Sequence, residues 1–146
     1  MTAPGGKFAT VQDVIDRFEG VVPSDRLAWV GVRLGDVESE LMFQVPSLRK
    51  PVDVVAAESV AVGDTDRPNR VRNLVAGKVL DLYRNPEGPL NQLSRTMPDI
   101  TLSRSWAPDP TRGRVAFTAA ELDSVRLRTP RRRFTSIMVA PGHVTV

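Results

Sequence analysis

The stretch SDRLAWVGVRLGDVESELMFQVP, residues 24–46, decides the fold. Leu27, Val30, Leu34, Val37 and Leu41 recur at alternating steps of three and four residues, which stacks them on one face of a helix. Trp29, Met42 and Phe43 widen that face, while Arg26, Arg33, Asp36, Glu38 and Glu40 supply a polar one. Ser24 stands where an N-cap belongs, and Pro46 cannot continue the helix.

Towards the N-terminus, Thr10 and Asp13 have the spacing of a reciprocal cap, so a short helix is expected from there through about Phe18 or Glu19. Val11, Val14, Ile15 and Phe18 give it a buried face and Gly20 a stop. Residues 1–7 read as a flexible leader. Its Pro4-Gly5-Gly6-Lys7 lacks the spacing of a phosphate loop and the Ser or Thr that follows one.

Towards the C-terminus, residues 52–62 are apolar and only weakly periodic. Valine favours strand, whereas Ala56, Ala57 and Glu58 tilt the balance to helix. A clearer helix begins near Asp66, tolerates Pro68 in its first turn and carries Val71, Leu74, Val75, Val79, Leu82 and Tyr83 on one side. Asn85-Pro86-Glu87-Gly88-Pro89 ends it. Residues 90–110 are rich in Ser, Thr, Pro and Arg, and Ile100, Leu102 and Trp106 alternate with Thr101, Ser103 and Ser105, the pattern of an extended hairpin or edge strand. Thr118 and Glu121 repeat the capping box for a helix to about Val125, and residues 134–139 alternate well enough to pair as a strand.

The expected fold class is therefore mainly α: a small helical bundle with an extended loop or β-hairpin and a long irregular C-terminal arm. A chain of 146 residues with 41% hydrophobic content fits one domain, here 8–127, followed by a basic arm, 128–146. Twelve prolines and ten glycines limit the helical core and favour irregular arms that a partner orders. No apolar run approaches the roughly 20 residues that span a bilayer, and no signal peptide opens the chain, which predicts a soluble, unexported protein with no membrane contact.

Chemistry is sparse. Cysteine is absent, which removes disulfides and thiolate metal sites, and the single histidine, His143, stands near the end in a Pro-Gly turn. The Val62-Gly63-Asp64-Thr65-Asp66 run has too few oxygen ligands for a calcium loop and reads as a helix entry. Asp13, Asp16 and Glu19, and likewise Asp36 and Glu40, share helix faces with Arg17 and Arg33, so they read as solvated surface or ion pairs rather than acid–base machinery. The sequence predicts no enzyme, no cofactor and no metal.

Charge is what remains. No Asp or Glu follows Asp123, whereas Arg126, Arg128, Arg131, Arg132 and Arg133 do; the other 15 basic residues face 17 acidic ones, leaving a body near −2 and a tail of +5. With Phe134, these arginines are the expected contact to a partner or, unspecifically, to nucleic acid. Arg67, Arg70, Arg72, Lys78 and Arg84 add basic material around the helix that begins near Asp66. No helix-turn-helix or zinc spacing accompanies either group.

The order of these motifs resembles the head-to-tail connector, or adaptor, proteins of siphophages, especially those infecting actinobacteria. The resemblance rests on Phe8-Ala9-Thr10-Val11-Gln12-Asp13-Val14, on the long helix closed by an Arg/Pro turn, on Val71 to Arg84 ending in Asn85-Pro86-Glu87-Gly88, on Ser94-Arg95-Thr96, and on Phe117-Thr118-Ala119-Ala120-Glu121-Leu122. It covers about 8–127; the extension 128–146 is longer and more basic than that pattern. It implies a ring, expected to be twelve-fold, of neighbouring adaptor subunits beneath the portal protein and around the DNA channel, in the neck of the virion and in host cytoplasm during assembly. A stopper or tail-terminator protein would lie below. Arg95, Ile100, Leu102, Arg104 and Trp106 are the expected inter-subunit or channel loop. A stopper or tail-terminator identity and a small DNA-binding accessory protein are the alternatives.

Overall fold

The computed structural model describes residues 5–85, 92–97, 100–105 and 113–128, the two middle segments by backbone alone. The chain is mainly helical, with α1 (Val11–Ile15), α2 (Leu27–Gln44), α3 (Val52–Ala61), α4 (Arg67–Arg84) and α5 (Ala119–Val125). Single 3-10 turns at Ser24–Arg26 and Pro46–Arg49 lead into α2 and α3. Between α4 and α5, β1 (Gln92–Met97) and β2 (Ile100–Ser105) pair antiparallel with Gln92 opposite Ser105 and Met97 opposite Ile100.

Both capping boxes form. The Thr10 hydroxyl accepts the Asp13 N–H while Asp13 accepts the Thr10 N–H, and Thr118 and Glu121 do the same at α5. Each reciprocal pair satisfies donors that the first turn of a helix leaves open, which lets helices this short persist. The Thr10 backbone N–H is the main reason the Asp13 carboxyl titrates below its usual range; burial opposes it, and the Thr10 hydroxyl, Arg72 and Arg17 assist.

α4 is the spine, because α1, α2, α3 and α5 all pack on it. Val71, Val75, Ala76 and Val79 of α4 meet Val30, Leu34, Val37 and Leu41 of α2 in one core that Val14, Leu48, Val55 and Val125 complete, all buried. At about 1.5–3 kcal/mol for each fully buried Val or Leu, this cluster is the main stabilising term. Residues 52–61, for which the sequence leans to helix over strand, form α3, with Val62 as its C-cap.

Three expectations change. α1 stops at Ile15 rather than at Phe18 or Glu19: tighter turns from Arg17 N to Val14 O and from Phe18 N to Ile15 O follow. They bring Phe18 edge-on to Tyr83 of α4, ring centres 5.4 Å apart, with Trp29 of α2 on Tyr83 at 5.9 Å. The edge-on contact of the half-buried Phe18 ring with Tyr83 takes the place of one more helical turn. Ser24 opens the 3-10 turn and makes no side-chain cap, so α2 begins at Leu27. Glu38, read as part of the polar face of α2, is buried: its carboxylate accepts the backbone N–H groups of Lys7, Phe8 and Ala9 at 2.6, 2.7 and 3.1 Å. The fold's ties thus begin ahead of Phe8, and the Lys7 ammonium also donates to the Leu48 carbonyl at 2.8 Å.

Candidate functional site

The basic residues of α4 sort into two groups. Arg67, counted with the basic material around this helix, is fully buried. Its Nε donates to the Val125 carbonyl at 2.7 Å, one terminal nitrogen to Ser47 Oγ at 2.9 Å and the other to Ser59 Oγ at 3.3 Å. One side chain therefore ties α4 to α3, to the 3-10 turn before it and to the end of α5. Burial pulls the Arg67 pKa down, and Asp64 and Glu58 pull it back up without touching the guanidinium.

Arg70, one turn on, donates to the Ser124 carbonyl at 2.9 Å and pairs with Asp64, and more loosely with Asp66 at 3.8 Å. Two carbonyls from the end of α5 thus receive arginine side chains of α4, a favourable place for positive charge. Lys78 is also engaged internally, its ammonium 2.9 Å from Glu121. Burial works to raise the Glu121 carboxyl, but the Thr118 N–H and Lys78 outweigh it and hold it below the usual range. Of the basic residues singled out around α4, Arg72 and Arg84 are exposed.

These anchors fix the end of α5 against α4. Val62, Gly63, Asp64, Arg70, Ser124 and Arg128 line an open cleft of about 450 Å³ between the α3–α4 loop and the end of α5. Gly63 turns that loop with φ 78°, a left-handed geometry that costs glycine little. The loop thus serves as a helix entry, its Asp64 held to Arg70; that bond is the first cause of the lowered Asp64 pKa. Arg128 is exposed on the cleft, and Arg126 is exposed and pairs with Asp123 at 3.0 Å.

The other expected contacts are less fully described. Arg131, Arg132, Arg133 and Phe134 lie outside the described residues, as do His143, Trp106 and the strand expected at 134–139. Arg95, Ile100, Leu102 and Arg104 lie in β1 and β2, where the backbone is described. Of the arginines that follow Asp123, Arg126 and Arg128 are the described ones, both exposed just past the end of α5.

The acidic faces are surface pairs. Asp13 caps α1 and lies 3.9 Å from Arg17; Gln12 donates to Asp16; Arg33 meets Asp36 at 3.2 Å; Gln44 donates to Glu40. Among the described residues no group of three or more His, Cys, Asp or Glu is placed to hold a metal ion. No described helix is long and apolar enough to cross a membrane.

What sequence reading missed is on the outside of α3. Its exposed residues are Val52, Asp53, Val54, Ala57, Val60 and Ala61, of which only Asp53 is charged; Val60 is 62% exposed. A helix apolar nearly all round is normally covered on all sides. The unbroken apolar run of residues 52–62, which blurred the helix–strand choice, is the signal that could have pointed to a second covered face. Comparison of the chain with protein-family models, curated proteins and solved structures finds no match.

Proposed function

We propose that this chain is a non-enzymatic structural protein of a tailed-phage virion, the adaptor that forms a ring between the portal and the next neck protein around the DNA channel. The observation that carries the reading is the outward face of α3: five of its six exposed residues are Val or Ala, an arrangement that leaves apolar area in water until a neighbour covers it. A ring supplies that neighbour on every subunit. The resemblance of the motif order to that of siphophage adaptors supports the same reading, as does the placing of a β1–β2 ribbon between two core helices, since a two-stranded ribbon is marginal in water unless something packs on it.

In this account the ribbon, with Arg95, Ile100, Leu102, Arg104 and Trp106, is the element that reaches a neighbouring subunit or the channel. The arm leaves beside the 450 Å³ cleft at Arg128 and carries Arg131, Arg132, Arg133 and Phe134 to the portal, where arginine forks find carboxylates. Truncation after Leu127 is then expected to abolish or weaken portal binding; a truncated chain that binds portal rings as well as the full one contradicts the role given to the arm.

A second reading, a small DNA-binding accessory protein, is favoured by one observation: five arginines and no acidic residue follow Asp123. Titration of the isolated chain with duplex DNA at low and moderate salt separates the two. Affinity that is tight and falls steeply with salt, with a log–log slope of roughly −0.9 per phosphate neutralised, supports the DNA reading. The adaptor reading expects weak binding throughout.

A further inference from the structure

The register of the ribbon divides it into two faces of unlike chemistry. Leu93 stands opposite Arg104, Arg95 opposite Leu102 and Met97 opposite Ile100. Successive strand residues belong to opposite faces. One face therefore holds Leu93, Arg95, Met97, Ile100, Leu102 and Arg104, four apolar positions and two cationic ones. The other holds Gln92, Ser94, Thr96, Thr101, Ser103 and Ser105, uncharged and polar throughout.

The outward face of α3 matches the first of these. It offers three valines and two alanines around a single acid, and Asp53 has no ion pair among the described residues, whereas Glu58 on the same helix is paired with Lys50. The exposed apolar residues of α2, Val32 and Phe43, suit the ribbon less well: about three turns separate them, and Gly35, Asp36 and Ser39 stand between. Lengths agree too, a ten-residue helix of about 15 Å against six-residue strands of about 20 Å.

We propose that the Leu93–Arg95–Met97–Ile100–Leu102–Arg104 face of the ribbon seats on the outward face of α3 in a neighbouring copy of this chain. A second copy is the occupant because, among the described residues of one chain, the two strands pack on each other and not on α3. Charge agrees, with two cationic positions on the ribbon face and one acidic position on α3. Two different surfaces meet, so each copy gives its ribbon to one neighbour and its α3 to the other, the head-to-tail contact that closes into rings. The Ser, Thr and Gln face is then left uncovered, neutral and polar throughout. This inference rests on the ring reading above.

The absence of cysteine from the chain makes the test clean. Full-length Val60→Cys is mixed with isotope-labelled Leu102→Cys, or with Ser103→Cys from the opposite face, and oxidised; hetero-linked dimers are counted by mass while rings are scored by electron microscopy. The expected result is several-fold more linkage from Leu102→Cys than from Ser103→Cys, in samples that contain rings. Equal or greater linkage through Ser103→Cys overturns the proposal, as does a Val60→Cys/Leu102→Cys double variant that links within a monomer. Rings without the Val60–Leu102 linkage overturn this interface alone; neither rings nor linkage overturns the ring reading with it.

Discussion

Glu38 and Phe8 are joined by a hydrogen bond of 2.7 Å from the Phe8 backbone N–H to Oε1 across thirty residues of chain, and the same carboxylate also holds the N–H groups of Lys7 and Ala9. Three consecutive backbone donors converge on one buried acid, so the segment ahead of α1 is fixed to α2 by charge-assisted hydrogen bonds rather than by apolar contact alone.

Replacing that acid is expected to be costly. Glu38→Ala leaves the donors at 7–9 without an acceptor and should lower unfolding free energy by about 3 kcal/mol, read as a shift of the urea midpoint, with Glu38→Gln about half as damaging. A loss under about 0.5 kcal/mol would show that water replaces the carboxylate freely.

Gly6 supplies an independent check on the same tie. A Cβ at Gly6 would stand 2.6 Å from the Glu38 carboxyl carbon, and that carboxylate cannot swing aside without releasing its donors. Gly6→Ala is expected to cost about 1–3 kcal/mol in the native chain and much less in a Glu38→Ala background. Equal costs in both backgrounds would detach Gly6 from Glu38.

Arg67 should behave as a hub. Arg67→Met strands the Val125 carbonyl and takes the donor from Ser47, while Ser59 keeps its bond to the Val55 carbonyl, with an expected loss of about 3 kcal/mol, and Arg67→Lys should fail to restore it because one ammonium cannot reach three acceptors in a planar fork. Ser47→Ala alone should cost no more than about 1.5 kcal/mol. Full rescue by lysine would refute the hub.

Acid sensitivity follows from Asp13 and Glu121. Both carboxyls are held below their ordinary values of 3.8 and 4.5 in the folded chain. A depressed folded pKa contributes stability that is fully present above the unfolded value and is lost as pH falls through the folded one. Thermal midpoints are therefore expected to be insensitive to these two groups down to about pH 5 and to decline below 4.5. Lys78→Met should move the Glu121 titration, followed by NMR, up towards 4.5.

Much of the helical plan was legible in local chemistry. Thr10 with Asp13, Thr118 with Glu121, the apolar steps of α2 and the stops at Pro46 and Asn85-Pro86 each act within a turn or two, and the helices start or end where these residues dictate. What escaped depends on distant partners. Glu38 reads as a surface acid because its partners are backbone donors about thirty residues away, which carry no side-chain signature. Phe18 fits a helical period, yet its ring is claimed by Tyr83. Arg67 could have been found: it precedes Val71 by one turn and so lies on the buried face of α4. The outward face of α3 was half visible, as an apolar run with no polar side.

The proposed ring on the portal is tested by electron microscopy of the purified full-length chain mixed with siphophage portal rings, beside each component alone. The expected result is added ring density of this chain beneath the portal, concentric with its channel. Portal rings that stay bare at micromolar concentrations of the chain, together with tight salt-sensitive binding of the chain to duplex DNA, would contradict it.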